Sequence, residues 1–244
     1  MKKKIFLSGL SFVLFAGLIV LLKTYDRAAI GPNDTVVGFS HINKTVHDMT
    51  GVNMMWYDIT DYMGYAAILL CLVFALAGLV QLIKRRSLFK VDREILSLGF
   101  LFAADIAFYA LFEKVIINCR PVIMPGETEP EASFPSSHTV LIITVMIAIC
   151  IIIDKYVNNG PISGILRVFC IAAALFTVCG RLYSGVHWFT DIIGGILLSM
   201  ALIFAFSAGA ADNSANKKSL PPDSGNRPKI SERDRVINGY RTKH

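Results

Sequence analysis

The chain has 244 residues, of which 54% are hydrophobic and only 17% charged. That balance excludes an ordinary soluble domain and suits a protein that crosses a membrane several times. The net charge of +6 would suit a nucleic-acid ligand, but the distribution of the basic residues assigns them to a membrane topology instead.

The chain opens with Lys2, Lys3 and Lys4 and continues into an apolar run over residues 5–22. The run is longer than the core of a secretory signal and no small-x-small cleavage site follows it, so a first, uncleaved span is expected. Residues 23–61 are polar and mixed. Gly31-Pro32-Asn33-Asp34 reads as a turn. Ile42, Val46 and Met49 recur at helical spacing and predict a short surface helix over residues 41–50. His41 and His47 have no partner motif and read as solvated. Asn43-Lys44-Thr45 fits a glycosylation sequon, of consequence only in a eukaryotic secretory setting. Trp56, Tyr57, Tyr62 and Tyr65 read as an interfacial aromatic belt.

Five more spans are predicted, over residues 63–83, 95–112, 140–153, 162–178 and 189–206, the fourth span overall reaching spanning length if its helix begins near Ser136. Lys84-Arg85-Arg86 stops the second. The third carries Asp105, which is either a buried hydrogen-bonding partner or part of a polar access path. Gly195 and Ser199 on the last span fit internal helix packing as well as dimerisation, so the oligomeric state stays open. The five cysteines show no spacing pattern of a disulfide framework.

Orientation follows from the basic residues. With the N-terminus inside, the inner segments hold Lys2 to Lys4, the run from Lys84 to Arg93, Lys155, Arg167 and the tail. The outer segments hold Lys23, Arg27, Lys44, Lys114, Arg120 and Arg181. The positive-inside rule therefore favours both termini in the cytoplasm. The expected architecture is all-α: a six-span membrane domain over residues 1–208, with its motifs at 113–191, and a basic, disordered cytoplasmic tail over 209–244.

Three polar stretches then meet at the outer face. The first is Glu113-Lys114 with Arg120-Pro121, the second Pro135-Ser136-Ser137-His138, and the third Arg181, His187 and Asp191. Guanidinium groups recognise phosphate in bidentate fashion, and lysine does so as a point charge. Ser136 and Ser137 precede an apolar helix in N-cap position, where backbone N–H groups and the helix dipole favour an anion. Two histidines permit a two-step phosphoryl transfer, one attacking phosphorus and the other protonating the leaving oxygen. His187, with Asp191 four residues on to hold Nδ1–H, is the expected nucleophile, and His138 the general acid and then base. Arg120, Arg181 and Lys114, with Ser136 and Ser137, are the expected phosphate ligands. No Cys/His spacing indicates zinc and no carboxylate cluster a di-metal site, so no metal or other cofactor is expected.

These residues resemble the motifs of the type 2 phosphatidic acid phosphatase family, integral-membrane lipid phosphatases related to vanadium haloperoxidases. The family pattern is a lysine, six residues and Arg-Pro; then Pro-Ser-Gly-His; then Ser-Arg, five residues, His, three residues and Asp. Three positions depart from it. Lys114 has five residues before Arg120, leaving Glu113 in the lysine's place. Ser137 replaces the glycine, and Gly180 the serine before Arg181. His138, His187, Arg120, Arg181 and Asp191 remain, so an active enzyme is expected. The resemblance implies a metal-independent phosphatase working through a phosphohistidine at His187. Its substrate would be a membrane lipid phosphate or pyrophosphate: undecaprenyl pyrophosphate, phosphatidylglycerol phosphate or phosphatidic acid. The compact six-span chain suits a bacterial plasma membrane, with the bilayer and its lipids as partners and no nucleic acid. Two alternatives stand beside this reading: a lipid phosphotransferase sharing the intermediate, and a non-catalytic scaffold with a decayed site.

Overall fold

A computed structural model describes residues 1–210. The tail predicted to be disordered lies, from residue 211, outside the described residues. The helices are α1 (Lys2–Thr24), α2 (Ser40–Thr50), α3 (Met54–Arg85), α4 (Arg93–Lys114), α5 (Ser137–Tyr156), α6 (Gly160–Tyr183) and α7 (Phe189–Ala210). All except α2 are long and apolar enough to cross a bilayer, which makes the six expected spans. Two-residue strands, β1 (Ala28–Ala29) and β2 (Val36–Val37), pair antiparallel across the turn at Pro32–Asp34.

The second span starts well before the predicted residue 63. Asn53 caps α3 by accepting from Trp56 N–H, and Asp58 and Asp61 continue the helix. The hydropathy pattern hid this because these carboxylates lower the local hydropathy, although Asp61 faces Arg181 and His138 rather than lipid. α5 and α7 form the interior, with 50% of each spanning window buried against 6% for α3. α1 packs antiparallel to α7, pinned where Ser8 donates to the Ala201 carbonyl and Lys4 to that of Ser207. Ser199 donates to its own-helix Gly195 carbonyl and toward that of Val140 on α5. The Gly195–Ser199 pair therefore serves internal packing.

At the end holding residue 1 and the end of α7, the loops carry ion pairs. Arg85 bonds Asp92 at 2.9 Å, Lys155 pairs with Glu94, and Arg167 with Asp154. The opposite end gathers the start of α3, the end of α4, the start of α5, the end of α6 and the start of α7. Lys23, at the end of α1, donates to the Ile116 and Ile117 carbonyls just beyond α4, fastening α1 to the segment that leaves α4.

α2 forms as expected, but its buried anchor is polar. Asn43 donates to the Gly38 carbonyl and to Thr190 Oγ1, and accepts from Thr190 N–H. That excludes it as a glycan acceptor in the folded chain. Ile42 and Met49 stay exposed. His41 is not free, because its Nδ1 lies 2.6 Å from Asp26. Trp56 packs on Phe176 and Tyr183, so the aromatic belt is only partly a belt. All five cysteines are free thiols.

One contact carries the start of α5. Phe134 stacks on Phe15 of α1 at 5.7 Å and meets Phe112 of α4 edge-on at 6.1 Å. Gly194 of α7 lies against the same ring, where a Cβ would stand 2.3 Å from a Phe134 carbon. Gly194→Ala is therefore expected to lower stability by about 1–3 kcal/mol through overpacking, read as a lowered midpoint of thermal unfolding in detergent.

Candidate active site

The site is built at the helix-end cluster opposite the chain's start. Ser136 is the N-cap residue of α5, as its place in the sequence suggests, but its side chain makes no cap bond. The hydroxyl is buried and accepts from Thr139 Oγ1 at 3.1 Å, while Ser136 N–H donates to the Asp191 carbonyl. Ser136 thus ties α5 to α7, and Ser137 and His138 face the cavity.

His187 belongs to neither flanking helix. It sits in the connector between α6 and α7, with Gly185 at φ 66°. A side chain at Gly185 would need a left-handed backbone and would place Cβ 1.8 Å from the Gly51 carbonyl oxygen. Asn53 N–H donates to the Ser184 carbonyl from the same side. The connector is thereby pressed onto the start of α3.

Asp191 lies in the first turn of α7. Its Oδ2 accepts from Trp188 N–H at 2.9 Å, the backward half of a capping box. His187 Nδ1 is 3.7 Å from the same oxygen, beyond hydrogen-bond length, and has no other hydrogen-bond partner. On the other edge of the ring, Arg120 Nη1 is 3.4 Å from Nε2. A guanidinium can only donate, so Nε2 is the acceptor and the neutral ring carries its proton on Nδ1. Burial, then the charges of Arg120 and Arg181, hold the imidazole pKa well below its ordinary 6.5. His187 is therefore an uncharged base with its lone pair on Nε2.

Arg120 is delivered by a hairpin. Its N–H donates to the Glu131 carbonyl, Cys119 bridges Ala132, and Trp188 Nε1 donates to the Cys119 carbonyl at 2.7 Å. Arg120 Nε lies 2.9 Å from Glu131 Oε2.

Arg181, at the end of α6, is 0% exposed. Its guanidinium stacks 4.8 Å from the Tyr57 ring centroid, and Nη2 is 3.5 Å from Asp61 Oδ1. Nε and Nη1 have no hydrogen-bond partner. Asp61 Oδ1 also lies 2.9 Å from His138 Nε2. The glycine at 180 has a steric reason: a Cβ there would stand 2.5 Å from Thr60 Cγ2, where α6 crosses α3. The motif serine is given up to a close helix approach.

These groups surround a cavity of about 500 Å³ between α3 and α4, backed by α5. Its polar end has Arg120, His138, His187, Ser137 and Asp61, and its stem runs past Ile68, Ile106 and Phe108 to Asp105. Asp105 is 8% exposed and bonded to Thr144 Oγ1 at 2.6 Å, so it is both a buried partner and part of the cavity wall.

Of the residues expected from sequence, Arg120, Ser137, His138 and His187 converge on the cavity. Arg181, Asp191 and Ser136 are buried behind its wall. Lys114 is not brought in: it is exposed at the end of α4, and Glu113 takes the cavity face in its place. One residue is about 100° of helix, which is enough to exchange them. Sequence reading missed Asp61, Tyr57 and Glu131. The overlooked signal was the Asn53 cap, which extends α3 back and sets Tyr57, Asp61 and Gly64 on one helical face.

Three outcomes are expected. Lys114→Ala should leave kcat/KM within about threefold, while Arg120→Ala loses about 10²–10³-fold. If His187 acts as a nucleophile, the reactive form is the neutral imidazole, present above the folded-state pKa and lost as pH falls through it. The acid limb of kcat/KM assigned to His187 should therefore lie below pH 6.5, in a pH–rate profile of the free enzyme.

The sequence model of the PAP2 superfamily matches residues 94–214. No curated protein matches the chain. Among solved structures, the fold is similar to that of the crystal structure of the first transmembrane PAP2 type phosphatidylglycerolphosphate phosphatase from Bacillus subtilis. The TM-score is 0.57 at 18% identity, covering 88% of this chain and 98% of that one. By the match over residues 94–214 and its six spans, the chain is a multi-pass membrane protein that carries the PAP2 superfamily pattern.

Proposed function

We propose that the protein is a lipid phosphate phosphatase working through a phosphohistidine. The carrying observation is a single cavity that joins His138, His187 and Arg120 at one end to an apolar stem between α3 and α4. A phosphate ester on a lipid tail has the same two-part chemistry. The family match and the likeness to a phosphatase of a glycerophospholipid support the reading.

In this mechanism His187 Nε2 attacks phosphorus, with its proton held on the Asp191 side. The P–O bond to the lipid breaks, and His138 gives its proton to the departing oxygen. Arg120, already 3.4 Å from Nε2, and Arg181, with two buried N–H-bearing nitrogens lacking acceptors, neutralise the phosphoryl oxygens. Water then attacks phosphorus, giving a proton to His138 and returning His187. The basic residues at the opposite end support a cytoplasmic placement of that end and an outward-facing site. Phosphatidylglycerol phosphate, phosphatidic acid and undecaprenyl pyrophosphate are the substrates to compare, in a bacterial plasma membrane.

The test is phosphate release by purified protein from those three lipids in detergent. Release from at least one is expected, unchanged by chelator and inhibited by vanadate, a mimic of the transferring phosphoryl group. His187→Ala should lower it by about 10⁴-fold or more. Activity that survives this change sinks the nucleophile assignment. Transfer of phosphate to an added acceptor lipid would indicate a phosphotransferase, and no turnover of any lipid phosphate a scaffold.

A further inference from the structure

We propose that Asp61 on α3 is the positioning residue of the general acid–base, an orienting partner for His138 as Asp191 is for His187. The proposal rests on the phosphatase reading above. α3 precedes residues 94–214, which the family's sequence model spans, and no motif singled out in the sequence includes Asp61.

The geometry is specific. Asp61 Oδ1 is 2.9 Å from His138 Nε2, a hydrogen-bond distance. The same oxygen is 3.5 Å from Arg181 Nη2, so one carboxylate joins the acid to a phosphate ligand. α3 shapes the rest of that contact. Tyr57, one turn before Asp61, stacks on Arg181. Gly64, three residues after, leaves room for the imidazole, because a Cβ there would stand 2.6 Å from His138 Cδ2. Positions 57, 61 and 64 lie on one helical face, and that face fits the two side chains it meets.

The chemistry explains the need. To act as an acid, His138 carries a positive charge beside Arg120 and Arg181. The other titratable groups around it are His187, Tyr57 and Tyr65, with Glu113, Glu131 and Asp105 farther round the cavity wall. Asp61 is the carboxylate in contact. It accepts from Nε2–H, fixes the ring plane and supplies the counter-charge of the imidazolium. Nδ1 is then the nitrogen that exchanges a proton: its N–H goes to the lipid oxygen as the P–O bond breaks, and its lone pair takes one from water in the second step.

A general acid matters only when the leaving group is poor. The test compares kcat/KM for phosphatidic acid, which expels an alkoxide, with that for p-nitrophenyl phosphate, which expels a stable phenolate. For Asp61→Asn we expect a loss of about 10–100-fold on the lipid and less than about threefold on the aryl ester. Asp61→Glu should recover part of the loss. His138→Gln should give the same asymmetry, and adding Asp61→Asn to it should cost nothing further. Vanadate should still inhibit Asp61→Asn within about threefold of the wild-type concentration, showing an assembled site. Equal losses on both substrates, or lost vanadate inhibition, would make Asp61 a support for Arg181 or the fold and overturn the proposal. Unchanged kcat/KM on both overturns it as well. If phosphatidylglycerol phosphate proves the better substrate it replaces phosphatidic acid in the comparison, and wild-type protein that hydrolyses neither the aryl ester nor any of the three lipids removes the phosphatase reading itself, and this inference with it, before any variant is made.

Discussion

A guanidinium with no exposure to water, that of Arg181, is the constraint around which the helix-end cluster is built. Burying a lone charge costs on the order of several kcal/mol unless partners surround it. Here they come from a different helix. α3 brings the Tyr57 ring beneath the guanidinium and the Asp61 carboxylate beside it. α6 can reach them only because residue 180 has no side chain. The last turn of α6 and the first turns of α3 are thus mutually dependent, and His138 is fastened to the same carboxylate.

The second histidine is held by different physics. His187 occupies a short connector pressed between Gly51 and the start of α7, in which backbone sterics do most of the positioning. Asp191 caps the Trp188 amide and stands a little too far from Nδ1 for a hydrogen bond. The two imidazoles therefore face one cavity from supports of unequal firmness. α5 and α7, the interior helices, set the distance between their backbones, joined by the bond from Ser136 N–H to the Asp191 carbonyl.

The cavity departs from a simple anion trap. Asp61, Glu113 and Glu131 share its wall with Arg120, and Glu131 lies against the Arg120 guanidinium. Each buried or half-buried cation thus has an internal carboxylate near it. This satisfies the requirement that a charge taken out of water be paired. Arg181 alone keeps two guanidinium nitrogens, Nε and Nη1, without acceptors despite its carboxylate.

The sequence by itself determined the six spans and the polar stretches that lie at their ends. Long apolar runs have few ways to satisfy their backbone except as helices crossing lipid, and alternating direction brings every second helix end to one side. Arg120, Ser137, His138 and His187 were legible for that reason. What tertiary structure decided was rotation and depth. Whether Glu113 or Lys114 faces the cavity turns on a single helical residue. Whether the polar turns around Asp61 are loop or helix turns on what they pack against. Hydropathy reads Asp61 as the edge of a loop because it counts transfer from water to lipid, and this carboxylate is transferred to neither. It moves from water to the company of an arginine and a histidine, supplied by chain more than seventy residues away.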